Sequence, residues 1–473
     1  MNFHRDNLAN LVSTVVISIM ALLAIPAYSQ SEAIIVDSPA DGDDGDFSPG
    51  NLTLREAVGL ANTTPSDVIH FDPGLAGATI TLTEGQLEIS SSMTIEGLGA
   101  DALTISADGA SRVIAEVKSG QRIITIRDLT LSDGLAPSSS GGGALFSSEA
   151  NITLERVVMR NHNSLGNNGS TIVAAFGTLV IRNCAIVDNL DRGVGAIRLQ
   201  DNQTTITNTT ISNNQTRAIS FFSASESRAD LLSLTNVTIS GNGGNSGIEI
   251  VANAGTTDFE YQNTILADNG SANIAARGNA LPGLSITSLG NNLLDDSPAG
   301  DAAHSASAGD QRDTNPLLDP LDDYGGSTFT LRPGLASTAI NAGLCFADDP
   351  LVPEADQRGV ARPQGDGCDI GAVEVAHVSV SFNADGGVPA PEAQALIEGD
   401  LVAEPTAMTR SGFIFKGWYD TPDFSGAPWN FASDTVPFDA LVLFARWESD
   451  EIFSDAFEEV DRARVLGLLR TGQ

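Results

Sequence analysis

The side chains best equipped for chemistry in this chain lie in a few short stretches. Asp41-Gly42-Asp43-Asp44-Gly45-Asp46 places four carboxylates on a loop loosened by two glycines. Hard oxygen ligands on a pliable backbone suit Ca²⁺. Asp41, Asp43, Asp44 and Asp46 are therefore the candidate Ca²⁺ ligands. The spacing is not that of an EF-hand loop, and the bland alternative is a solvated acidic loop. Arg127, Glu155 and Arg182 recur at matching places of three related lines. Such a column suits a sugar acid, but more often it is an ion-pair ladder on a solvated face. Asp188, Asp191, Arg192 and Arg198 fall in one turn region, where loop polarity explains them equally well. His162 has no partner nearby in sequence and reads as a bend residue. Cys184 stands in an apolar column, which suits a buried thiol better than a nucleophile. Cys345 and Cys368 share a loop-rich segment and can pair in an oxidising compartment. Closing a loop of that length contributes ~3 kcal/mol. No catalytic residue is assigned.

The elements that position these groups follow from an internal repeat. Between Ile124 and Asn269 six related lines recur about 27 residues apart: ITIRDLTLSDG, ITLERVVMRNH, LVIRNCAIVDN, TTITNTTISNN, LSLTNVTISGN and FEYQNTILADN. Their markers are Asp128, Arg156, Asn183, Asn208, Asn236 and Asn263. Two before each marker stand Ile126, Leu154, Ile181, Ile206, Leu234 and Tyr261; three after it stand Leu131, Met159, Ile186, Ile211, Ile239 and Leu266. Apolar residues alternate with the period of a strand, and the phase slips by one at the marker. A chain turning a corner between two strands does this while keeping both apolar faces inward. One such coil cannot bury its apolar face alone, but stacked coils can, at ~4.8 Å per winding. The spacing predicts a parallel β-helix, with Asn183, Asn208, Asn236 and Asn263 as a corner ladder, because Asn tolerates left-handed backbone and its amide reaches the next rung. Asn189, Asn214, Asn242 and Asn269 fit the following bend. Ala78–Leu82, Met93–Gly97 and Ile286–Leu293 extend the stack. Thr53, Leu54, Arg55 and Glu56 open a capping helix: Thr53 caps, Glu56 reaches back, and Leu54, Ala57, Val58 and Ala61 form its apolar stripe.

Bulk properties narrow the function. The net charge is −36 over 473 residues. That repels phosphate backbones and argues against nucleic acid as a partner. The start, Arg5 followed by an apolar run from Leu11 to Ile25 and then Pro26-Ala27-Tyr28-Ser29, has the layout of a cleavable export signal, the rival reading being an uncleaved anchor. No second long apolar run follows, so no membrane span is expected after its removal.

Three stretches resemble known families. Val36-Asp37-Ser38, Asp43-Asp44-Gly45 and Leu52-Thr53-Leu54-Arg55-Glu56-Ala57-Val58 resemble the CSLREA motif region of exported bacterial β-helix proteins. Phe47 and Leu52 stand where that family carries cysteines, so its cross-link is not carried over. DTNPL (313–317), DYGG (323–326), AINAG (339–343), DQRG (356–359), RPQG (362–365) and CDIGA (368–372) look like the end segment of choice-of-anchor β-helix proteins, which implies a module closing the helix. Val380–Phe382, Asp385-Gly386-Gly387, Arg410–Phe413, Phe415–Tyr419 and Leu443–Trp447 resemble the Listeria–Bacteroides (internalin B-type) repeat, which implies a small β-grasp-like domain of bacterial surface proteins.

The expected fold is all-β, a right-handed parallel β-helix with an N-terminal capping helix and a small β-grasp-like domain. Its parts are a signal peptide (1–29), cap and first rungs (30–98), solenoid (99–312), closing module (313–376), repeat domain (377–447) and tail (448–473). The expected role is that of a non-catalytic exported protein at the cell surface or outside it. It would bind extracellular carbohydrate or a surface protein, with no cofactor beyond a candidate Ca²⁺. The alternatives are a lyase or hydrolase acting on acidic polysaccharide, and a structural spacer of the envelope. The runs Gly-His-Gly, Arg-Ile-Lys and Arg-x-Pro-x-x-Arg that mark such enzymes do not occur.

Overall fold

A computed structural model describes residues 33–137, 140–165, 171–190, 193–297, 306–437 and 440–450. The export signal expected over 1–29 and the tail beyond Asp450 lie outside these residues.

The repeated lines form a parallel β-helix. Each winding has a front strand, a corner, a short flank strand, a turn and a back strand. Asn151–Arg160 supplies a front strand and its flank continuation, and Ile172–Ala175 supplies the back strand behind it. Neighbouring windings pair in parallel without slippage over most of the stack: Ile152 lies between Ile124 and Leu179, and Leu154 between Ile126 and Ile181. Eight back strands, from Leu87–Ile89 to Ile274–Arg277, form the opposite wall. The inward residues make one continuous core from Val36 to Leu294.

The corner is left-handed in every marker: φ is 59° at Asp128, 53° at Arg156, 56° at Asn183, 45° at Asn208, 53° at Asn236 and 48° at Asn263. Asn adopts this region readily, whereas an arginine does so at a cost of roughly 1 kcal/mol. A fork of two bonds to the marker one rung earlier offsets it, with Arg156 Nε–Asp128 Oδ1 2.6 Å and Nη2–Oδ2 2.8 Å.

An α-helix, α1 (Leu54–Ala61), the one such helix among the described residues, plugs the first winding. Thr53 Oγ1 accepts from the Glu56 amide, and the Glu56 carboxylate accepts from the Thr53 amide. Leu54, Ala57, Val58 and Ala61 are buried against the strands Ile34–Val36, Asp67–Phe71 and Leu87–Ile89.

Residues 306–314 add a last irregular winding, where Gln311 bridges Leu293. The segment that follows differs from a terminal lid. It runs back along the flank as a strap and docks on the corner column. Asn291 donates to Ala342 O, Asn263 to Leu344 O, Asn236 to Gly371 O and Asn208 to Ala355 O. Thr210 Oγ1 donates to Gln357, and Thr328 Oγ1 to Asn183 O. At its far end Leu321 and Phe329 pack on Ala100, Val158, Ala185 and Val187. Small outward side chains on the flank allow this close approach. Cys345 and Cys368 are joined by a disulfide within the strap.

The remaining described residues form a four-stranded sheet ordered Gln394–Ile397, His377–Asn383, Leu441–Ser449 and Phe413–Tyr419. Its centre is parallel and its outer pairs are antiparallel. Phe382, Phe415, Trp418 and Trp447 interlock at centroid distances of 5.1 to 5.8 Å. Such aromatics supply the apolar area a domain this small needs.

Candidate binding surfaces

The acidic loop is built into the cap of α1. Asp41 pairs with Arg55 through two bonds (Nε–Oδ1 2.7 Å, Nη2–Oδ2 2.9 Å) and accepts from the Thr83 and Glu84 amides. Burial opposes its ionisation, but Arg55 and these amides outweigh burial and hold its carboxyl below the usual range. Asp44 accepts from the Asp46 amide, and Asp46 from the amide and hydroxyl of Ser48. Gly42 O takes the Thr53 hydroxyl, and Glu56 takes the Gly45 amide. Among the described residues no three or more of His, Cys, Asp and Glu are grouped to hold a metal ion. Of the four expected Ca²⁺ ligands, Asp41, Asp44 and Asp46 are thus engaged in local and helix-capping bonds.

Register places Arg127, Glu155 and Arg182 side by side on the front face. Their ion pairs run elsewhere. Arg127 Nη2 meets Glu96 Oε2 at 2.7 Å one winding earlier, and Glu155 meets Arg156 at the corner. No ion pair joins these three residues to one another: Arg127 pairs back along its column to Glu96, and Glu155 turns to Arg156, which also holds Asp128 one winding earlier. Asp188 sits in a left-handed turn (φ 55°), and Arg198 lies on the outer face of the back sheet, paired in register with Val173 and Ser220. Asp191 and Arg192 lie outside the described residues.

His162 belongs to a buried ladder. Asn189, Asn214 and Asn242 each donate from Nδ2 to Oδ1 of the next asparagine, at 2.8, 2.8 and 3.0 Å, ending on Asn269. Each also donates to a flank carbonyl: Met159, Ile186 and Ile211 respectively. His162 occupies the rung before Asn189. Its Nε2 donates to Leu131 O (3.1 Å) while Nδ1 accepts from the Gly134 amide (2.9 Å), so the ring is the neutral Nε2–H tautomer. Burial pushes its pKa down to about 4. The unfolded chain therefore takes up this proton first as pH falls. Stability owed to His162 is complete above pH 6.5 and lost between 6.5 and 4, to about 3 kcal/mol. His162→Asn continues the asparagine pattern without a titrating ring. Urea unfolding of both proteins from pH 7.5 to 4 is expected to show this extra loss in the wild type alone.

Cys184 is fully buried; its thiol is pushed up to about 12 by burial and donates to Arg182 O. It lies with the apolar core and not at a reactive surface.

Two outer faces stay open. On the front sheet Val68, Thr94, Thr125, Thr153, Val180 and Thr205 stack in register, continued by Ser233, Glu260 and Thr287. All are half-buried or exposed. On the back sheet Phe146 and Val173 stack in register, and Arg217 and Arg277 both pair with Glu249. The strap contacts and the arginine pairs to Glu249 were not legible locally, because they join residues of different windings and of distant segments.

Two family models match the chain: a right handed beta helix region over residues 92–281, and a Listeria–Bacteroides repeat domain over residues 379–446. Internalin H of Listeria monocytogenes is 42% identical over 48 residues, 10% of this chain and 9% of that protein. The chain spans about a tenth of the length of the curated relatives it matches. Among solved structures, pectate lyase Pel9A aligns over 73% of this chain and 96% of its own, at 13% identity and a TM-score of 0.32. The A-module of the Azotobacter vinelandii mannuronan C-5 epimerase AlgE4 aligns over 55% and 90%, at 14% identity and a TM-score of 0.28. These figures carry no statement about chemistry. No helix among the described residues is long and apolar enough to cross a membrane.

Proposed function

We propose that this chain is an exported, non-catalytic β-helix protein of the CSLREA and choice-of-anchor type, and that it binds carbohydrate or protein on the open faces of its solenoid. The observation that carries the reading is the division of the solenoid surface. The strap occupies the corner and flank, while the registered Thr and Ser column of the front sheet stays accessible over many windings. Runs of hydroxyls at ~4.8 Å spacing, such as Thr94, Thr125 and Thr153, offer repeated hydrogen-bond partners to an extended ligand. The disulfide fits an oxidising compartment outside the cytosol. The Listeria–Bacteroides repeat fits a protein of the bacterial surface.

The test is a glycan array probed with the purified protein, followed by incubation with uronic-acid polymers. Retention on a defined glycan without new reducing ends or unsaturated product is the expected result. Robust turnover of any polymer would overturn the non-catalytic assignment.

A further inference from the structure

We infer that a cleft on the back sheet, between Arg112 and Lys118, binds the carboxylate-bearing sugar unit of an acidic glycan. This rests on the binding role above and gives that role a place and a ligand class.

The cleft measures about 400 Å³, within the range of small-ligand sites. Its floor is the outer side of two paired strands, where Ala115 and Phe146 lie side by side. Arg112 forms one wall, with its guanidinium 4.7 Å from the Phe146 ring centroid. It donates to Gly141 O, to the Ser140 hydroxyl and to Gln86 Oε1, none of which is a carboxylate. The other wall is the loop carrying Lys118. That loop is held by the buried Arg122, which donates to the carbonyls of Lys118, Ser119 and Gly120. The ammonium is therefore presented from an ordered backbone.

Charge decides the ligand. Glu116 lines the cleft, but its Oε1 pairs with Arg122 at 2.6 Å and its Oε2 accepts from the Ser148 amide at 2.9 Å. Glu88, one strand over beside Ala115, is engaged by Gln86. Lys118 has no ion pair among the described residues, whereas the only other lysine, Lys416, pairs with Glu448. Among the described residues, two cations without carboxylate partners thus share one cleft, in a chain of net charge −36. A charge-assisted bond to an anion is what such groups lack. The remaining surface sets the rest of the ligand. Phe146 and the half-exposed Val117 offer apolar contact to a ring face, and Gln86, Ser119 and Ser148 offer partners for hydroxyls. Hydroxyls, an apolar ring face and a carboxylate together describe a sugar acid.

The test is calorimetric titration of the full chain with trigalacturonate and with its methyl ester, which keeps the hydroxyls and removes the charge. Trigalacturonate is expected to bind at least about tenfold tighter than the ester, and Lys118→Glu to abolish that difference. Lys118 is exposed, so the variant leaves the core intact, and Lys118→Arg is expected to retain binding. Equal affinity for acid and ester overturns the inference, as does unchanged binding by Lys118→Glu. No binding of trigalacturonate by the wild type also overturns it, while retention of another glycan on the array would leave the binding role standing. Binding lost in Lys118→Glu together with cleavage of the trimer would support the site and overturn the non-catalytic role.

Discussion

Arg362→Met is expected to lower unfolding free energy by about 3–5 kcal/mol, because it strips the counter-ion from a buried acid pair. Arg362 Nη1 meets Glu374 Oε2 at 2.8 Å and Asp369 O at 3.1 Å, and Nη2 meets Gly371 O at 2.9 Å. Neither Arg362 nor Glu374 is reached by solvent to any useful degree. Without the guanidinium, Glu374 and Asp369 face each other in a site that cannot hydrate them. Burial, and then the charge of Glu374, already raise the Asp369 carboxyl above its usual range. A raised acid binds a proton that the unfolded chain releases, so its contribution to stability falls as pH rises above the ordinary carboxylate range and through its raised value. The cost of the substitution is therefore larger at pH 8 than at pH 5, and urea unfolding at both values measures it. The same residues govern the joint to the repeat domain. The consecutive amides of Glu374, Val375 and Ala376 donate to Asp356, Asp369 and Glu398 at 2.9, 2.7 and 2.6 Å. Arg358 links Asp356 to Glu398 across that joint. Faster hydrogen exchange at these three amides in Arg362→Met would accompany the loss of stability; unchanged exchange and unfolding would show that the pair contributes nothing net.

Asn214→Leu is expected to cost a similar amount, about 3–5 kcal/mol, at a site without any charge. The Asn214 side chain serves two windings. It donates to Ile186 O and to Asn242 Oδ1, and it accepts from both the amide and the side chain of Asn189. Leucine has similar volume but leaves these groups buried and unpaired. The penalty is large because each lost bond strands a partner that water cannot reach. Thermal unfolding of Asn214→Leu beside Thr205→Val makes the comparison. Thr205 is an exposed member of the front column, and its substitution is expected to change stability by less than about 0.5 kcal/mol. Comparable losses at the two sites would refute the buried-ladder account.

The two predictions separate what local pattern encodes from what it does not. Alternating apolar residues, such as Leu179 and Ile181 before the corner and Cys184 and Ile186 after it, state both strands and the turn between them. The left-handed corner was legible in its asparagines, and the capping box in Thr53 and Glu56. Each of these depends on residues a few positions apart, or on the same position one repeat later. His162 was legible only as a bend residue, because its ladder role depends on a hydrogen-bond pattern that asparagine and a neutral imidazole share. Asp41 looked like a metal ligand because composition cannot show that Arg55, on the first turn of α1, reaches back to it.

By itself the sequence determined a stack of coils with a common apolar interior, its corner chemistry, its helical plug and the presence of a separate aromatic-cored repeat. Periodicity carries this information because every winding solves the same burial problem with the same residue types. Only the tertiary structure decided that the strap lies along the flank, which carboxylates are consumed by buried arginines, and where two cations stay unpaired. Those outcomes join residues separated by long stretches of chain, such as Asn208 and Ala355. No local preference specifies such a meeting; it follows from which surfaces remain free, and which charges remain unsatisfied, once the solenoid has formed.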